Sequence, residues 1–371
     1  MKKTMAAALA LTAAAVPAMA QSNVRIYGVL DVMVEHLRAN NGVNLTRMAQ
    51  TGHVPSRFGF EGTEDLGGGL KAEFTLEGGI GVDTGSSLQG GRLFGRQAFV
   101  GLRSERLGTV RFGRQYSVMQ SALVSYDPDY FSPYSPGLAM QLANIDQTVL
   151  DNVISYISPR IGGFTGTLAF APGEGASVTP ATPQFIAAGT AASMKAAMLQ
   201  YAQGNFSAGV AYQARGETLA AGGAKVEPRI MSIGAKYALT PTVELGALYW
   251  VHRNELPSGA APTTRVATIG VNWKATSAVT LVAQVGHARD DGRVYATGAA
   301  KARGTNDYLN LGATYHLSKR TAVYTRYGRV SDEDSGFNGR PSQAMVSIRD
   351  GVALPANGHV TGFAVGLRHR F

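Results

Sequence analysis

Eight charged side chains in this sequence have types and spacing that could act together on ions, although not as a catalytic site. Most lie in segments where charged and apolar residues alternate, and two acids lie in a long stretch between such segments. Fixed charges of this kind attract, repel or orient ions and polar solutes. They are Arg57, Lys71, Arg96, Arg111, Glu61, Glu73, Asp127 and Asp129.

Signatures of enzymatic chemistry are missing from the sequence. There is no HExxH pair, no GxSxG elbow and no Walker phosphate loop. The 7 histidines are scattered, with no metal-ligand spacing on one strand face, and the absence of cysteine rules out thiolate sites and disulfides. We therefore expect no enzyme activity, no cofactor and no metal.

The elements that position these charges are β-strands. Between Leu70 and Gly78 the apolar residues Leu70, Ala72, Phe74 and Leu76 alternate with Lys71, Glu73, Thr75 and Glu77. Side chains two positions apart share one face of a strand. One face of this strand is therefore apolar, and the other carries enough charge to face water.

The same unit of strand, tight turn, strand and longer loop recurs along the chain. We count about sixteen strands of roughly 8–12 residues, the length that a tilted strand needs to cross a bilayer. They cover residues 23–35, 55–65, 70–78, 93–103, 107–115, 152–159, 164–171, 196–202, 206–215, 229–239, 242–252, 264–274, 279–287, 307–317, 321–330 and 358–371.

The first 20 residues have the pattern of a secretory signal peptide. Two lysines precede an apolar segment, and Ala18-Met19-Ala20 is a typical cleavage site. Cleavage near Ala20 would lower the formal net charge from +9 to +7 and leave residues 21–371 as one domain. No later stretch is apolar for long enough to form a transmembrane helix.

Together these features predict an all-β fold: a transmembrane antiparallel β-barrel of about sixteen strands, with a long third loop folded into the lumen. Aromatic residues near strand ends, among them Tyr249, Trp250 and Trp273, fit the interfacial belts of such barrels. The soluble alternative, a β-helix or multi-sheet adhesin, predicts a sequence repeat that is not present.

The chain resembles the general diffusion porins of Gram-negative outer membranes, specifically the sixteen-stranded trimeric group of proteobacteria. The resemblance implies a water-filled barrel, three barrels per trimer, and a third loop folded into each pore. It rests on Arg25-Ile-Tyr-Gly28 with Asp31, Ser56-Arg-Phe-Gly-Phe60, Glu64-Asp-Leu-Gly67, Arg96-Gln-Ala-Phe-Val-Gly-Leu102, Phe112-Gly-Arg-Gln115 and Val365-Gly-Leu-Arg-His-Arg-Phe371.

About 36 residues separate the fifth and sixth strands, and loops of that length are usually functional or disordered. Their aromatic and proline content favours an ordered constriction loop, with an ordered external flap as the alternative. On this hypothesis Asp127 and Asp129 face the basic wall across the pore, and the field between them orients dipolar solutes.

The resemblance implies that Arg57 and Arg96 belong to a basic ladder on the pore wall. Alternation with Thr109 and Gln115 adds Arg111 to that face. Arginine suits this position because it stays charged at any relevant pH. The alternative is that the arginines simply pair with neighbouring acids, and both can hold.

One departure weakens the expected anion selectivity. The family's anion-selective members carry another arginine in the strand after the long loop, where this chain has Ser155. We therefore expect only a weak anion preference for a passive channel for small hydrophilic solutes. The main alternative is a substrate-specific channel for small anions; an outer-membrane hydrolase or a plugged, adhesive barrel would be other classes.

The last strand and the basic loops indicate partners. Pairing of the last strand with residues 23–35 would close the barrel, and the resemblance implies that Phe371 is the signal read by the barrel-insertion machinery. Arg289, Arg293, Lys301 and Arg303 suit lipopolysaccharide phosphates better than nucleic acid. We expect a homotrimer in the outer membrane.

Overall fold

The computed structural model describes residues 23–49, 52–130, 132–135, 148–173, 193–218, 225–255, 263–290, 304–333, 352, 355 and 357–371. The predicted signal peptide and the loop residues Arg293, Lys301 and Arg303 lie outside these ranges. In the described part of the chain, neither helix is long and apolar enough to cross a bilayer.

The described residues form 18 strands and two short helices. The strands are β1 (Asn23–Ala39), β2 (Asn44–Ala49), β3 (Arg57–Gly67), β4 (Leu70–Gly81), β5 (Ser86–Ser87), β6 (Gln97–Ser104), β7 (Gly108–Tyr116), β8 (Val149–Ile157), β9 (Phe164–Ala171), β10 (Ser193–Gln203), β11 (Phe206–Thr218), β12 (Lys225–Ala238), β13 (Val243–Glu255), β14 (Thr263–Lys274), β15 (Val279–Asp290), β16 (Gly304–His316), β17 (Thr321–Glu333) and β18 (His359–Arg370). The helices are α1 (Leu88–Gly91) and α2 (Val118–Tyr126).

These strands build a closed antiparallel barrel with 16 wall positions, as predicted. Strands β2 and β3 pair with successive parts of the same edge of β1 and share one wall position. The two-residue β5 pairs only with the end of β4 and adds no wall. The remaining strands pair with their neighbours in sequence order.

The barrel closes where β18 pairs with β1. The ladder runs from Val29 opposite Arg370 to Ala39 opposite Val360. Beyond it, the amides of Gly28 and Phe371 each donate to the carbonyl oxygen of the other residue at 3.1 Å. The predicted closure is confirmed, but it uses residues 28–39 rather than 23–35. Among the described strands, the residues of β1 before Gly28 pair only with β3.

The two faces of β18 follow the predicted alternation. Phe363, Val365 and Leu367 are each about half exposed on the outside, whereas Arg368 points inward and is buried. The aromatic ring of Phe371 lies over Gly28, where any side chain would collide with it. An apolar outer face and a polar inner face are the pattern required of a wall between lipid and water.

Tight turns join the strands at one end of the barrel. Gly67, Gly68 and Gly69 link β3 to β4 with φ angles of +83°, +59° and +80°. Such left-handed conformations cost a glycine little, so this run of glycines fits a sharp hairpin. The other end carries the longer connections, including residues 117–148 between β7 and β8, here named the long loop.

The structure differs from the sequence-based expectation in several elements. Residues expected as a polar loop extend β1 to Ala39 and form β2, because Arg47 of β2 pairs with buried Glu35 of β1 at 2.8 Å. The wall strand expected from residue 93 starts only at Gln97. Helix α2 was not predicted at all.

Candidate functional site

The long loop enters the barrel and begins with helix α2. Ser117 caps the helix by accepting a hydrogen bond from the backbone amide of Gln120 at 3.0 Å, a common way to satisfy a free helical N–H group. The apolar residues of α2 are buried against the inner face of β9–β13. The loop therefore starts as an apolar layer on the inside of the wall.

A slot of three glycines receives Tyr126 at the end of α2. A Cβ atom at Gly234 would lie 2.6 Å from the Tyr126 side chain, and one at Gly246 would lie 2.9 Å from its carbonyl oxygen. Gly209, the direct cross-strand neighbour of Gly234, also lies under the Tyr126 ring. Because glycine has no side chain, the loop can lie close to the wall at these three positions.

After α2, the loop is held by hydrogen bonds to side chains on the inner wall. Asp127 accepts from Gln284 of β15 at 2.9 Å. Asp129 accepts from Asn310 of β16 at 2.9 Å and lies 3.2 Å from Nη2 of Arg326 on β17. These contacts carry the loop past β13 to the next wall strands.

The tip of the described loop reaches the first strand. Tyr134 donates a hydrogen bond from its hydroxyl to Oε2 of Glu35 at 3.1 Å, and Glu35 also binds Arg47. Tyr134 lies beside Leu37 of β1 and close to Gly362 of β18. The described part of the loop thus follows the inner wall from β9 round to β1.

The wall-strand partners described for Asp127 and Asp129 lie on β15–β17 and do not include Arg57 or Arg96. Both aspartates are almost completely buried, at 0% and 1% exposure. A buried carboxylate needs charged or hydrogen-bonding partners, and Arg326 and the wall amides supply them. These acids hold the loop in place.

His53, which precedes β3, connects the same cluster to the wall. Its Nε2 lies 3.1 Å from Asp129, and its Nδ1 lies 2.9 Å from Nη1 of Arg368. The backbone around it is fixed by Asp31, which accepts from the amides of His53 and Val54 at 3.1 and 2.9 Å. The short segment before β3 is thus fixed to the wall by Asp31, and it contacts the long loop through His53 and Asp129.

Burial and charge set the protonation of this cluster. Burial lowers the pKa of His53 and nearby Arg326 lowers it further, although Asp129 acts in the opposite direction. For Asp129 burial alone would raise the pKa, but Arg326, His53 and Ser132 together hold it well below its usual range. His53 is therefore neutral and Asp129 ionised while the loop is docked.

Two of the predicted basic residues, Arg57 and Arg96, meet on one carboxylate. Glu77 of β4 lies 2.7 Å from Nε of Arg96 and 3.4 Å from Nε of Arg57. The hydroxyls of Tyr27 and Tyr116 each donate to Glu77 at 3.0 Å. Arg57, Arg96 and Glu77 together carry one net positive charge, and the Arg57 side chain remains 30% exposed.

The other predicted wall residues lie closer to the short-turn end. Arg111 binds Glu73 at 2.7 Å, with its guanidinium 4.8 Å from the centre of the Phe99 ring. Glu61 binds Arg25 at 2.5 Å.

Lys71 is the residue nearest to the rim. It stands opposite Asp65 and Arg103, one residue from the start of β4. It is therefore well removed from Arg57 along the strand.

Ser155 takes the place of a basic residue on β8. It is 6% exposed, donates to Oε1 of Gln115 at 2.7 Å and stands opposite Arg111. This position therefore contributes no charge, which agrees with the interpretation of the sequence.

Several residues of the site were not chosen from the sequence. Glu77 could have been, because it continues the alternating charged face of Lys71 and Glu73. The loop anchors carry no such signal, since single polar residues on inward faces occur throughout the wall. Those missed are Tyr27, His53, Glu77, Tyr116, Gln284, Asn310, Arg326 and Arg368.

The glycine slot predicts that one methyl group can narrow the lumen. In Gly234→Ala the added Cβ collides with Tyr126 and moves the loop inward, so we expect a lower single-channel conductance in planar bilayers. Gly166→Ala is the matched control, because a Cβ there meets nothing closer than 3.7 Å. Equal conductance in Gly234→Ala, Gly166→Ala and the unchanged protein would contradict the close packing of the loop.

The protonation of the cluster predicts an acid-sensitive loop. Because the docked state lowers both pKa values, their contribution to docking is fully present at neutral pH. It weakens as pH falls below about 6.5, the ordinary pKa of histidine, and again below about 4, that of aspartate. Open-channel current noise should therefore rise as pH falls through the first range.

The variant His53→Gln separates the two steps. Glutamine keeps a hydrogen-bond donor but cannot be protonated, so the rise in noise near pH 6.5 should disappear while the rise at lower pH remains. An unchanged noise profile in His53→Gln would show that this histidine does not control docking.

Comparison with known proteins identifies the barrel. Residues 6–335 match the Gram-negative porin family. Over the full length of both chains, the sequence is 30% identical to an outer membrane porin protein of Bordetella pertussis and 31% identical to outer membrane porin protein 32 of Delftia acidovorans. The solved anion-selective porin from Comamonas acidovorans superposes with a TM-score of 0.78 at 24% identity, covering 95% of this chain and 100% of its own. The chain belongs to the Gram-negative porin family and is an outer-membrane channel protein.

Proposed function

We propose that this porin is a passive channel for small hydrophilic solutes and ions, with a weak preference for anions. The preference for anions over cations is inferred from one observation. Arg57 and Arg96 share the single carboxylate of Glu77. One positive charge is left over, and Arg57 is partly exposed to water. Basic groups that line a pore favour anions.

The preference is weak because several of the neighbouring charges compensate one another. Arg111 is neutralised by Glu73, Arg25 is neutralised by Glu61, and position 155 has no charge. The Comamonas acidovorans porin is described as anion-selective, which agrees with the proposed sign on the same fold.

The eight predicted constriction residues divide into three roles in this proposal. Arg57 and Arg96 line the narrow part of the pore and select ions. Asp127 and Asp129 shape the opening by holding the long loop against the wall. The lower wall towards the short-turn end carries Glu61, Lys71, Glu73 and Arg111.

A substrate-specific channel for small anions is the second candidate. The observation in its favour is that guanidinium and phenol groups, from Arg57, Arg96, Tyr27 and Tyr116, converge on one side of the lumen. Such a site would make conductance saturate with one solute. We favour the general channel because the Glu77 carboxylate already binds these guanidinium and phenol groups.

The wider assignment follows from the family. We propose that the protein acts as a homotrimer without enzymatic activity, that residues 1–20 are removed on export, and that residues 21–371 form one barrel domain. Outer-membrane lipid, lipopolysaccharide and the barrel-insertion machinery are its partners. An assay for lipid hydrolysis by the purified protein tests the absence of enzymatic activity.

Recordings from the purified protein in planar bilayers test the channel directly. We expect stepwise, ohmic conductance and a reversal potential in a salt gradient that indicates weak anion preference. Cation preference in the unchanged protein would refute the proposed sign, and saturation by a single anion would favour the substrate-specific channel.

Replacement of Arg57 tests which group sets the sign. Arg57→Gln leaves Arg96 to neutralise Glu77, so the site loses its net charge. The anion-to-cation permeability ratio should fall several-fold, because one unit charge at about 8 Å in water changes the energies of an anion and a cation by about 0.5 kcal/mol each, in opposite directions. Arg57→Lys should keep the ratio close to its original value.

The double change Lys319→Gln/Arg320→Gln is the control for net charge. It removes positive charge from the short turn between β16 and β17, and we expect a smaller shift in selectivity. An effect as large as that of Arg57→Gln would mean that overall charge, rather than the arginine pair, sets the preference.

Removal of Phe371 tests the assembly signal. The deletion removes the last backbone pair with Gly28 and the aromatic ring that covers it, so we expect a clear loss of folded trimer in the outer membrane. Phe371→Tyr keeps an aromatic terminus and should assemble. Normal trimer yield from the truncated chain would count against a signalling role.

A further inference from the structure

Tyr130 differs from the other described tyrosines of the long loop. Tyr126 and Tyr134 are buried against the wall, whereas Tyr130 is 51% exposed. It follows Asp129, where the loop runs along the inner wall, so the exposed surface of its ring faces the lumen. A large aromatic surface is thus open to any solute that passes the loop.

The backbone of Tyr130 has a strained conformation. Its φ angle is +52°, in the left-handed region that is costly for a residue with a Cβ atom. The amide of Tyr130 donates to the carbonyl oxygen of Asp127 at 3.2 Å, and the amide of Asp129 donates to the carboxylate of Asp127 at 2.9 Å. Because both aspartates are anchored to the wall, this tight turn is imposed on Tyr130. Strained backbone of this kind is concentrated at functional positions.

A buried ammonium group fixes one face of the Tyr130 ring. Nζ of Lys236 on β12 lies 4.2 Å from the ring centre, within the range of a cation–π interaction. Lys236 is itself held at 3.2 Å by the carboxylate of Glu244 on β13. Because Lys236 covers one face of the ring, the exposed half consists of the opposite face and the edge that carries the hydroxyl.

Polar side chains of the adjacent strands lie near this ring on the inner wall. Glu244 and Asn272 of β14 are direct cross-strand neighbours. The side-chain amide of Asn272 donates to the carbonyl oxygen of Pro128, two residues before Tyr130, at 3.4 Å. The Glu244 side chain is 37% exposed, so its carboxylate can accept further hydrogen bonds from a solute. Hydrogen-bond acceptors therefore stand beside the exposed ring.

The Tyr130 phenol supplies a hydrogen-bond donor at the same place. Partial burial raises its pKa, and the nearby carboxylates of Glu244 and Asp129 raise the pKa further, so the hydroxyl keeps its proton. In the described part of the chain this hydroxyl has no hydrogen-bond partner. A solute that lies on the free face of the ring can accept a hydrogen bond from it.

The charges around Tyr130 cancel, which limits the class of solute that fits. Lys236 and Glu244 neutralise each other, so their pair favours neither anions nor cations. What remains is an apolar aromatic face with a phenol, a carboxylate and an amide around it. A neutral ring with an apolar C–H face and several hydroxyl groups complements all of these groups. Sugars have this chemistry.

We infer that Tyr130, together with Glu244 and Asn272, forms a weak binding site for neutral sugars inside the lumen. The sugar ring lies on the free face of Tyr130, and its hydroxyl groups bind the carboxylate and the amide. Lys236 acts as a positioning residue that holds the aromatic ring from behind. This inference rests on the proposed channel, because the sugar must enter the lumen, and it adds neutral solutes that the pair Arg57 and Arg96 does not select.

Planar-bilayer recordings with glucose and sorbitol test the site. Sorbitol is a control of similar size and hydroxyl content that lacks the C–H face of a ring. Glucose should reduce the open-channel current saturably, at a half-saturating concentration about fivefold below that of sorbitol, because covering one face of Tyr130 removes on the order of 40 Å² of apolar surface from water. An equal, linear reduction by both solutes would reflect viscosity alone and would overturn the site.

Two variants of Tyr130 separate the ring from the hydroxyl. Tyr130→Asn removes the ring without added strain, since asparagine tolerates the left-handed backbone, and glucose should then act no better than sorbitol. Tyr130→Phe keeps the ring and should weaken glucose only about twofold, the share of one hydrogen bond. Both variants should leave the reversal potential in a salt gradient unchanged, because neither alters a charge. Undiminished block by glucose in Tyr130→Asn would overturn the assignment to this residue.

Two further measurements test the class of solute and separate the site from the channel. Saturable block by benzoate without block by glucose would overturn the assignment to a sugar. Saturation-transfer NMR of the purified protein detects bound glucose without any current, and the signal should be lost in Tyr130→Asn. Normal ohmic channels that bind no glucose would refute the sugar site alone. Glucose binding by a protein without conductance would support the site and refute the proposed channel.

Discussion

The complete pairing of backbone groups around the ring is the constraint on which the rest of this structure depends. A membrane interior offers no water to an unpaired N–H or C=O group, so a sheet can span it only if it closes. Here β18 pairs with β1 from Val29 to Ala39, and Gly28 pairs with Phe371 beyond it. Closure fixes the register of every strand, and register decides which side chains face lipid and which face the lumen.

The lumen is shaped by a second layer whose stability comes from a different source. The long loop is held first by apolar packing of α2 on β9–β13 and then by buried charge at Asp129 and Arg326. Loss of one partner from a buried pair costs about 3–5 kcal/mol, because the other charge is left without compensation. The loop is thus rigid at its ionic end, and its position depends on wall residues far from it in sequence.

These two layers explain how much could be predicted from the sequence. The wall was predictable, since alternation, turn glycines and strand length are local patterns that a bilayer enforces along the whole chain. Charged residues of the inner wall, such as Arg57 and Glu73, were predictable where they continue such a pattern. A contact that joins distant segments, such as that of Asp129 with His53 and Arg326, was not predictable, because no local spacing encodes that meeting.

Arginines on this barrel perform different tasks according to how much water reaches them. Arg326 and Arg57 both point inward, but Arg326 is 2% exposed and holds the loop, whereas Arg57 keeps a face open to the pore. Arg253 of β13 has the same side chain exposed on the outer face of the wall. Alternation assigns inside and outside, yet burial separates an anchor from a selectivity group. Burial is set by the loop, so the path of the long loop determines which charges of the inner wall can act on a passing ion.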